Sequence, residues 1–184
     1  PSHKIFPSEL DYKVHRRDRP DGYGGVAIGI GPGLDGKLLH SAKDCEAIFV
    51  QIDLKLQKNN ARESLIVGAC YRPTDNNVEY MDSLCSNILD VASKNKKAIL
   101  WIGGDFNLPD IDWKNFTING YQYVHAISNN MITTMAETGL DQVVTFPTRL
   151  DNTLDLFFTN RPSSINKCQP IPGISDHEIV HINT

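Results

Sequence analysis

Residues 98–107 read Ala98-Ile99-Leu100-Trp101-Ile102-Gly103-Gly104-Asp105-Phe106-Asn107. A continuously apolar run, Ala98 to Ile102, leads straight into Gly-Gly-Asp-Phe-Asn. The run is strand-sized, and its unbroken apolar character predicts a strand buried on both faces. In extended backbone, residues i and i+2 project the same way. Asp105 and Asn107 would then stand together at the end of a rigid strand. A carboxylate beside an amide suits a hard divalent cation, or a phosphate oxygen next to one. Gly103 and Gly104 leave room for close approach. The alternative is an Asx-rich turn closing a strand, a common structural feature.

Short apolar runs separated by turn residues recur on both sides of this segment. Gly24 to Ile30 (GGVAIGI) reads as a strand after a Gly-rich turn. Ala47 to Leu54 places Ile48, Val50, Ile52 and Leu54 on one face, a strand period. Lys58 to Arg62 is a polar turn, and Leu65 to Tyr71 (LIVGACY) is a second strand buried on both faces, ended by Pro73. Asn77 to Ser93 has helical spacing, with Met81, Leu84, Cys85, Ile88, Leu89 and Ala92 on one side. Asp75 or Asn76 is its expected cap. Ile127 to Glu137 predicts a second helix with Gly139 as C-cap. Val143-Val144, Leu154 to Phe158 and Ile179 to Ile182 complete the strands. Strands outnumber helices and separate them, which predicts one layered α/β or α+β domain over 1–184, with helices packed on sheets.

Three further segments carry chemistry near predicted strand ends. Asp155 is a polar residue inside Leu154-Asp155-Leu156, and if buried it needs a partner. In Ser175-Asp176-His177 the neighbouring side chains diverge, so His177 needs a carboxylate from elsewhere. Joining Asp155 to His177 meets both needs and gives an oriented imidazole, the arrangement of general acid–base catalysis. Taken singly, each could equally be an ordinary surface residue. Tyr71-Arg72-Pro73 closes another strand, where the Tyr71 hydroxyl could approach a phosphate or the ring could simply edge the core.

Bulk properties narrow the classes. Net charge is −4, which argues against a protein that coats nucleic acid, though not against an enzyme acting on it. Basic residues cluster at Lys13, Arg16, Arg17 and Arg19, and charge alone reads them as a solvated loop. The four cysteines, Cys45, Cys70, Cys85 and Cys168, form no Cys-x-x-Cys pair, so a zinc site is not expected. They read as reduced thiols of an intracellular protein. No apolar stretch approaches the ~20 residues of a membrane-spanning helix. Residues 1–10 (PSHKIFPSEL) lack a signal-peptide core and an initiator Met, and read as the cut edge of a longer protein.

Taken together, Tyr71-Arg72-Pro73, Gly104-Asp105-Phe106-Asn107, Leu154-Asp155-Leu156 and Ser175-Asp176-His177 resemble, in order and spacing, the endonuclease/exonuclease/phosphatase superfamily. Two finer stretches are similar to the endonuclease domain of LINE-type (non-LTR) retrotransposons. One is Arg16 to Arg19 leading into Gly24 to Ile28. The other is Thr145-Phe146-Pro147-Thr148-Arg149 with Asn152 to Asn160. The resemblance implies a two-sheet α/β sandwich of the exonuclease III / deoxyribonuclease I type. It implies that Asp105 and Asn107 hold the scissile phosphate and place the water. His177 would be the base or phosphate-polarising group, oriented by Asp155, while Asp176 supports a Mg²⁺ site (Mn²⁺ as the alternative ion). Tyr71, Thr145, Arg72 and Ser175 would contact phosphate or DNA.

The implied reaction nicks one DNA strand in the nucleus to prime a downstream reverse transcriptase domain of the same polyprotein, with the chain a monomer. In that family a strand carrying Asn and a second ending in the metal-binding Glu come first, and both would lie upstream of residue 1. Glu46 and Glu79 stand at no motif position and are not expected to replace that Glu. The chain alone is therefore expected to cut weakly or not at all. Two other readings stay open: a phospholipid or inositol phosphate phosphodiesterase on the same scaffold, and a non-catalytic relic that binds DNA or protein.

Overall fold

The computed structural model describes residues 11–55 and 62–184. Of the polar turn expected at Lys58 to Arg62, only Arg62 falls within them, and it already belongs to a strand. In chain order the elements are β1 (Lys13–Asp18), β2 (Gly25–Ile30), β3 (Gly36–Ser41), β4 (Glu46–Lys55), β5 (Arg62–Tyr71), α1 (Val78–Lys94), β6 (Ile99–Asp105), β7 (Ile111–Asp112), β8 (Thr117–Ile118), α2 (His125–Thr138), β9 (Asp141–Gln142), β10 (Asp155–Thr159), β11 (Lys167–Ile171) and β12 (Ile179–Asn183).

Alternation along β4, β5 and β6 generates two packed faces. A six-stranded sheet runs β3-β4-β5-β6-β10-β9. Only β5 and β6 are parallel, and α1 makes the crossover between them. One face buries Phe49, Ile66, Leu100, Ile102 and Phe158 against Met81, Leu84 and Ile88 of α1 and Ile127, Met131 and Met135 of α2. The other face buries Ile48, Val50, Ile52, Leu65 and Ile99 under Ile28 and Ile30 of β2. The antiparallel hairpins β1–β2 and β11–β12 form the second layer, the first over β4 and β5 and the second against β10. The result is an α/β sandwich with its helices on one side.

Several expectations need correction. The basic stretch from Lys13 is a strand and not a loop: Arg17 reaches back to the carbonyls of Ala42 and Lys43, so its charge is used in pairing β1 to its surroundings. β5 is buried along the face toward the helices, but on its other face only Leu65 is buried, while Val67 and Ala69 are half-covered. α1 is capped by Asn77, whose side-chain oxygen accepts Tyr80 N–H at 2.9 Å, and not by Asp75 or Asn76. Val91 takes the buried position expected of Leu89. The strand expected at Val143-Val144 lies two residues earlier, at Asp141–Gln142. Gly139 does end α2, in the left-handed conformation at φ +65°.

Side-chain bridges lock the ends of the sheet. The Tyr80 hydroxyl accepts Glu46 N–H at 2.7 Å and donates to the Tyr71 carbonyl at 2.9 Å, joining β4 to β5 from α1. Asn160 extends the β6–β10 pairing, accepting Leu100 N–H and donating to the Ala98 carbonyl, both at 2.9 Å.

Gly104 is the tightest point of the sheet. A Cβ there would lie 1.8 Å from the Cys70 carbonyl oxygen, and the backbone sits at φ +148°. The glycine makes room for strand β5, a structural use where a ligand use was expected. Gly104→Ala should therefore cost about 3 kcal/mol or more through strain and lost pairing. At about 2–4 °C per kcal/mol for a chain of this size, thermal unfolding followed by circular dichroism should show a drop of roughly 6 °C or more.

Candidate functional site

The sheet register collects the acidic residues. Asp105 is the last residue of β6 and stands directly opposite Asp155, the first of β10. On the other side Asp105 stands opposite Tyr71, the last residue of β5. His177 enters from the loop before β12, with Nδ1 2.7 Å from Asp155 Oδ2. Both side chains are largely covered, at 22% and 23% exposed. An ionised carboxylate only accepts, so Nδ1 carries the proton, and in the neutral imidazole Nε2 is the nitrogen with the lone pair. This is the pairing that a polar residue inside Leu154-Asp155-Leu156 requires.

Loop geometry fixes the pair. Thr148 is fully buried, and its Oγ1 accepts Leu154 N–H at 3.0 Å and Asp155 N–H at 2.9 Å. Its carbonyl accepts Glu178 N–H at 2.7 Å. One residue thus holds both the start of β10 and the loop that bears His177. A Cβ on Gly173 would lie 1.8 Å from the His177 carbonyl, so that loop closes only over glycine. Gly103, Gly104, Asp155, Gly173, Ser175 and His177 border an open hollow of about 370 Å³.

Burial pushes the Asp105 carboxyl above its ordinary pKa, and the neighbouring Asp155 charge adds to the rise, against an opposing effect of His177 and the Asn107 hydrogen bonds. Two facing carboxylates with one imidazole leave negative charge that a cation would offset. A hard ion held by one or two carboxylates, with water or substrate filling its other positions, fits this oxygen-rich pair. Among the described residues, no three His, Cys, Asp or Glu side chains converge on one metal position.

The other expected residues fall into different settings. Asn107 is buried with φ +47°; its backbone N–H donates to Asp105 Oδ1 at 3.2 Å and its Nδ2 donates to the Arg72 carbonyl at 2.8 Å. It therefore braces the turn that follows Asp105. Arg72 is corrected: only 1% exposed, it donates to the carbonyls of Asn107 and Asp75 and lies 4.3 Å over the Tyr123 ring. No surface of it is left for DNA. Asp176 is exposed and paired with Arg149 at 2.7 Å, and that hydrogen bond lowers its pKa. Ser175 is exposed, its hydroxyl accepting His177 N–H at 3.3 Å. Thr145 borders a separate hollow of about 670 Å³ with Trp113, Lys114 and Asn152. Sequence reasoning missed Thr148 as the hub, because a threonine in a turn gives no sign of accepting two backbone N–H groups.

Residues 65–181 match the sequence profile of a family described as "Endonuclease-reverse transcriptase". No curated protein matches the chain significantly in sequence. Among solved structures it resembles the human Nocturnin catalytic domain with bound sulfate, at 13% identity, with 100% of this chain and 78% of that one covered and a TM-score of 0.56. It also resembles the 3′ phosphatase NExo from Neisseria bound to product DNA hairpin, at 12% identity, 98% and 83% coverage and TM-score 0.58. A third is D. rerio TDP2 complexed with single strand DNA product, at 12% identity, 100% and 82% coverage and TM-score 0.56. At such identities the likeness is one of fold, a mixed α/β sandwich.

Because the folded-state pKa of Asp105 is raised, its ionised form works against the fold at neutral pH. The sign is that stability contributed by the protonated form is present below the unfolded pKa and lost as pH rises through the folded one. Asp105→Asn keeps an acceptor for Asn107 N–H and removes the charge. Its Tm should exceed that of the wild type by a few degrees at pH 7, and the advantage should shrink as pH falls toward the ordinary carboxylate range, about pH 4. Thermal unfolding at pH 7 and pH 4 checks both halves.

Proposed function

The chain belongs to the endonuclease-reverse transcriptase family of the endonuclease/exonuclease/phosphatase superfamily, and from that premise we propose that it is a DNA endonuclease which hydrolyses one strand of a duplex. The observation that carries the reading is the 2.7 Å contact of His177 Nδ1 with Asp155 Oδ2, made beside Asp105 on the paired strand.

The chemistry follows from that geometry. Asp155 fixes the imidazole tautomer, so Nε2 of His177 faces outward as a base or as a donor to phosphate. A water that gives up a proton attacks phosphorus, the bond to the 3′ oxygen breaks, and that oxygen takes a proton. The products are a 3′-hydroxyl and a 5′-phosphate. Asp105, backed by Asn107, orients the water or phosphate. Mg²⁺, or Mn²⁺ in its place, bound at the Asp105–Asp155 carboxylates, would supply charge neutralisation for the phosphate and leaving oxygen.

The 3′-hydroxyl is chemically suited to prime reverse transcription. We take the setting to be a LINE-type element acting on nuclear DNA, with a reverse transcriptase domain in the same parent polypeptide. The family description, which joins an endonuclease to a reverse transcriptase, supports this. No helix among the described residues is long and apolar enough to cross a membrane.

Supercoiled plasmid tests the reading. With Mg²⁺ a version extended upstream should convert it to the nicked form, whereas the 184-residue chain alone should do so weakly or not at all. In the extended protein His177→Ala should slow nicking about 10²–10⁴-fold, the usual worth of a positioned acid–base group. Asp155→Asn should lose a comparable share by releasing the tautomer. No nicking by the extended protein with either Mg²⁺ or Mn²⁺, or equal nicking by its His177→Ala variant, would overturn the assignment.

A further inference from the structure

Glu46 and Arg19 lie outside the Asp105–Asp155–His177 group; Glu46 is at no motif position, and Arg19, in the Arg16 to Arg19 stretch, is given no role by the resemblance. Glu46 opens β4 opposite Tyr71, which is opposite Asp105, which is opposite Asp155. Glu46, Tyr71, Asp105 and Asp155 thus form one row across four adjacent strands. Glu46 is only 6% exposed, and its Oε2 is buried with no hydrogen-bond partner among the described residues. Its Oε1 accepts from Arg19 Nε at 3.0 Å and Arg19 Nη2 at 2.9 Å.

Arg19 is held from several sides. Its backbone N–H donates to the Gly24 carbonyl and its carbonyl accepts Gly22 N–H, both at 3.0 Å, closing the β1–β2 turn. Its guanidinium carbon lies 5.5 Å from the Tyr71 ring centroid. A Cβ on Gly24 would come within 3.0 Å of that carbon, so the glycine is what lets the head group lie there. The other early cations are used elsewhere: Lys13 pairs with Asp35, Arg16 with Asp18, and Arg17 with backbone carbonyls.

A carboxylate buried with one oxygen unsatisfied is costly, and packing alone would favour an apolar residue at this position. The arrangement has a use if the guanidinium must be aimed. Both bonds to Glu46 leave from the Nε–Nη2 edge of a one-third exposed arginine, so Nη1 takes no part in the ion pair. We propose that Arg19 binds a nucleic-acid phosphate next to the one being cleaved, and that Glu46 is the positioning residue that aims it. Strands lie about 4.8 Å apart, so an anion at Arg19 sits one or two strand spacings from Asp105. That separation suits a neighbouring phosphate of the same DNA strand. The inference rests on the reading of the site as DNA-cleaving.

Three variants test it, each made in the protein extended upstream: Arg19→Met, Arg19→Lys and Glu46→Gln. Each is measured by anisotropy of a labelled duplex across a salt series without divalent cation, by nicking kinetics with Mg²⁺, and by thermal unfolding. Arg19→Met should flatten the slope of log Kd against log salt by about 0.9, the loss of one phosphate contact. It should raise KM about tenfold, a typical loss for one charge-assisted contact, with kcat little changed. Arg19→Lys keeps the charge and should restore the slope but not KM, because an ammonium cannot fork. Glu46→Gln should raise KM although it makes the surface less negative. If Glu46 acted only as a local charge, the same change would tighten binding.

An unchanged slope and KM in Arg19→Met, or tighter duplex binding by Glu46→Gln, overturns the proposal, whatever happens to Tm. If Arg19→Met does not fold, the slope-and-KM split of Arg19→Lys decides. A wild type that binds duplex but does not nick it sinks the cleavage reading alone, since the Arg19 variants still read against binding. A wild type that binds no duplex overturns both.

Discussion

Asp105 and Asp155 face each other because β6 and β10 pair antiparallel in one particular register. Side chains alternate with a period of two, so a one-residue slip would turn one carboxylate into the helix-packed core. The register is therefore held by several independent devices. Gly104 lets β5 approach β6 closely, Asn160 pins the far end of the β6–β10 pair, and Thr148 ties down the first residue of β10. Two like charges on facing residues also oppose folding. The sheet accepts that opposition at its edge and offsets it with the Phe49, Ile66, Ile102 and Phe158 core beneath.

Placing catalytic groups on strand ends and loops divides the work between them. β6 and β10 give Asp105 and Asp155 positions that rotamers can change only slightly. His177 comes from a loop whose path depends on Gly173 and on the Glu178 contact to Thr148. Because Thr148 bonds Asp155 N–H and the N–H of Glu178, the residue after His177, one side chain and its carbonyl tie together the two segments that bear the pair. Such coupling preserves the tautomer even where the loop breathes.

The alternating and continuous apolar runs of β2, β4, β5, β6 and β12, and the spacing of α1 and α2, were legible because burial forces periodicity on a sequence. Asp105, Asp155 and His177 were legible because polar residues at the ends of apolar strands stand out. β3 and β11 were not, since Leu38 and Leu39 are exposed and Pro170 breaks the pattern of Lys167–Ile171. β1 was hidden because a run of arginines reads as solvent-facing, whereas Arg17 spends its charge on main-chain carbonyls. Arg72 misled for the converse reason. A guanidinium beside a motif looks like a phosphate ligand, but here it fills the interior over Tyr123. Nothing in a single sequence distinguishes an arginine that satisfies carbonyls from one that awaits an anion.

That distinction matters for a chain of net charge −4. Long-range attraction to a polyanion needs a basic surface, and several cations near this sheet are already spent. Arg149 is committed to Asp176, Arg161 to Glu63 and Arg16 to Asp18. Exposed pairs of this kind contribute little to stability, yet they cancel the field a nucleic acid would sense. Any hold on a phosphate must then be short-range and directional, made by donors aimed in advance. A fork set by a buried carboxylate meets that requirement, and so does an imidazole fixed by Asp155. The acidic composition and the aimed groups are therefore two sides of one design: on the proposed function, recognition would be confined to the row at the strand ends, where burial strengthens each contact.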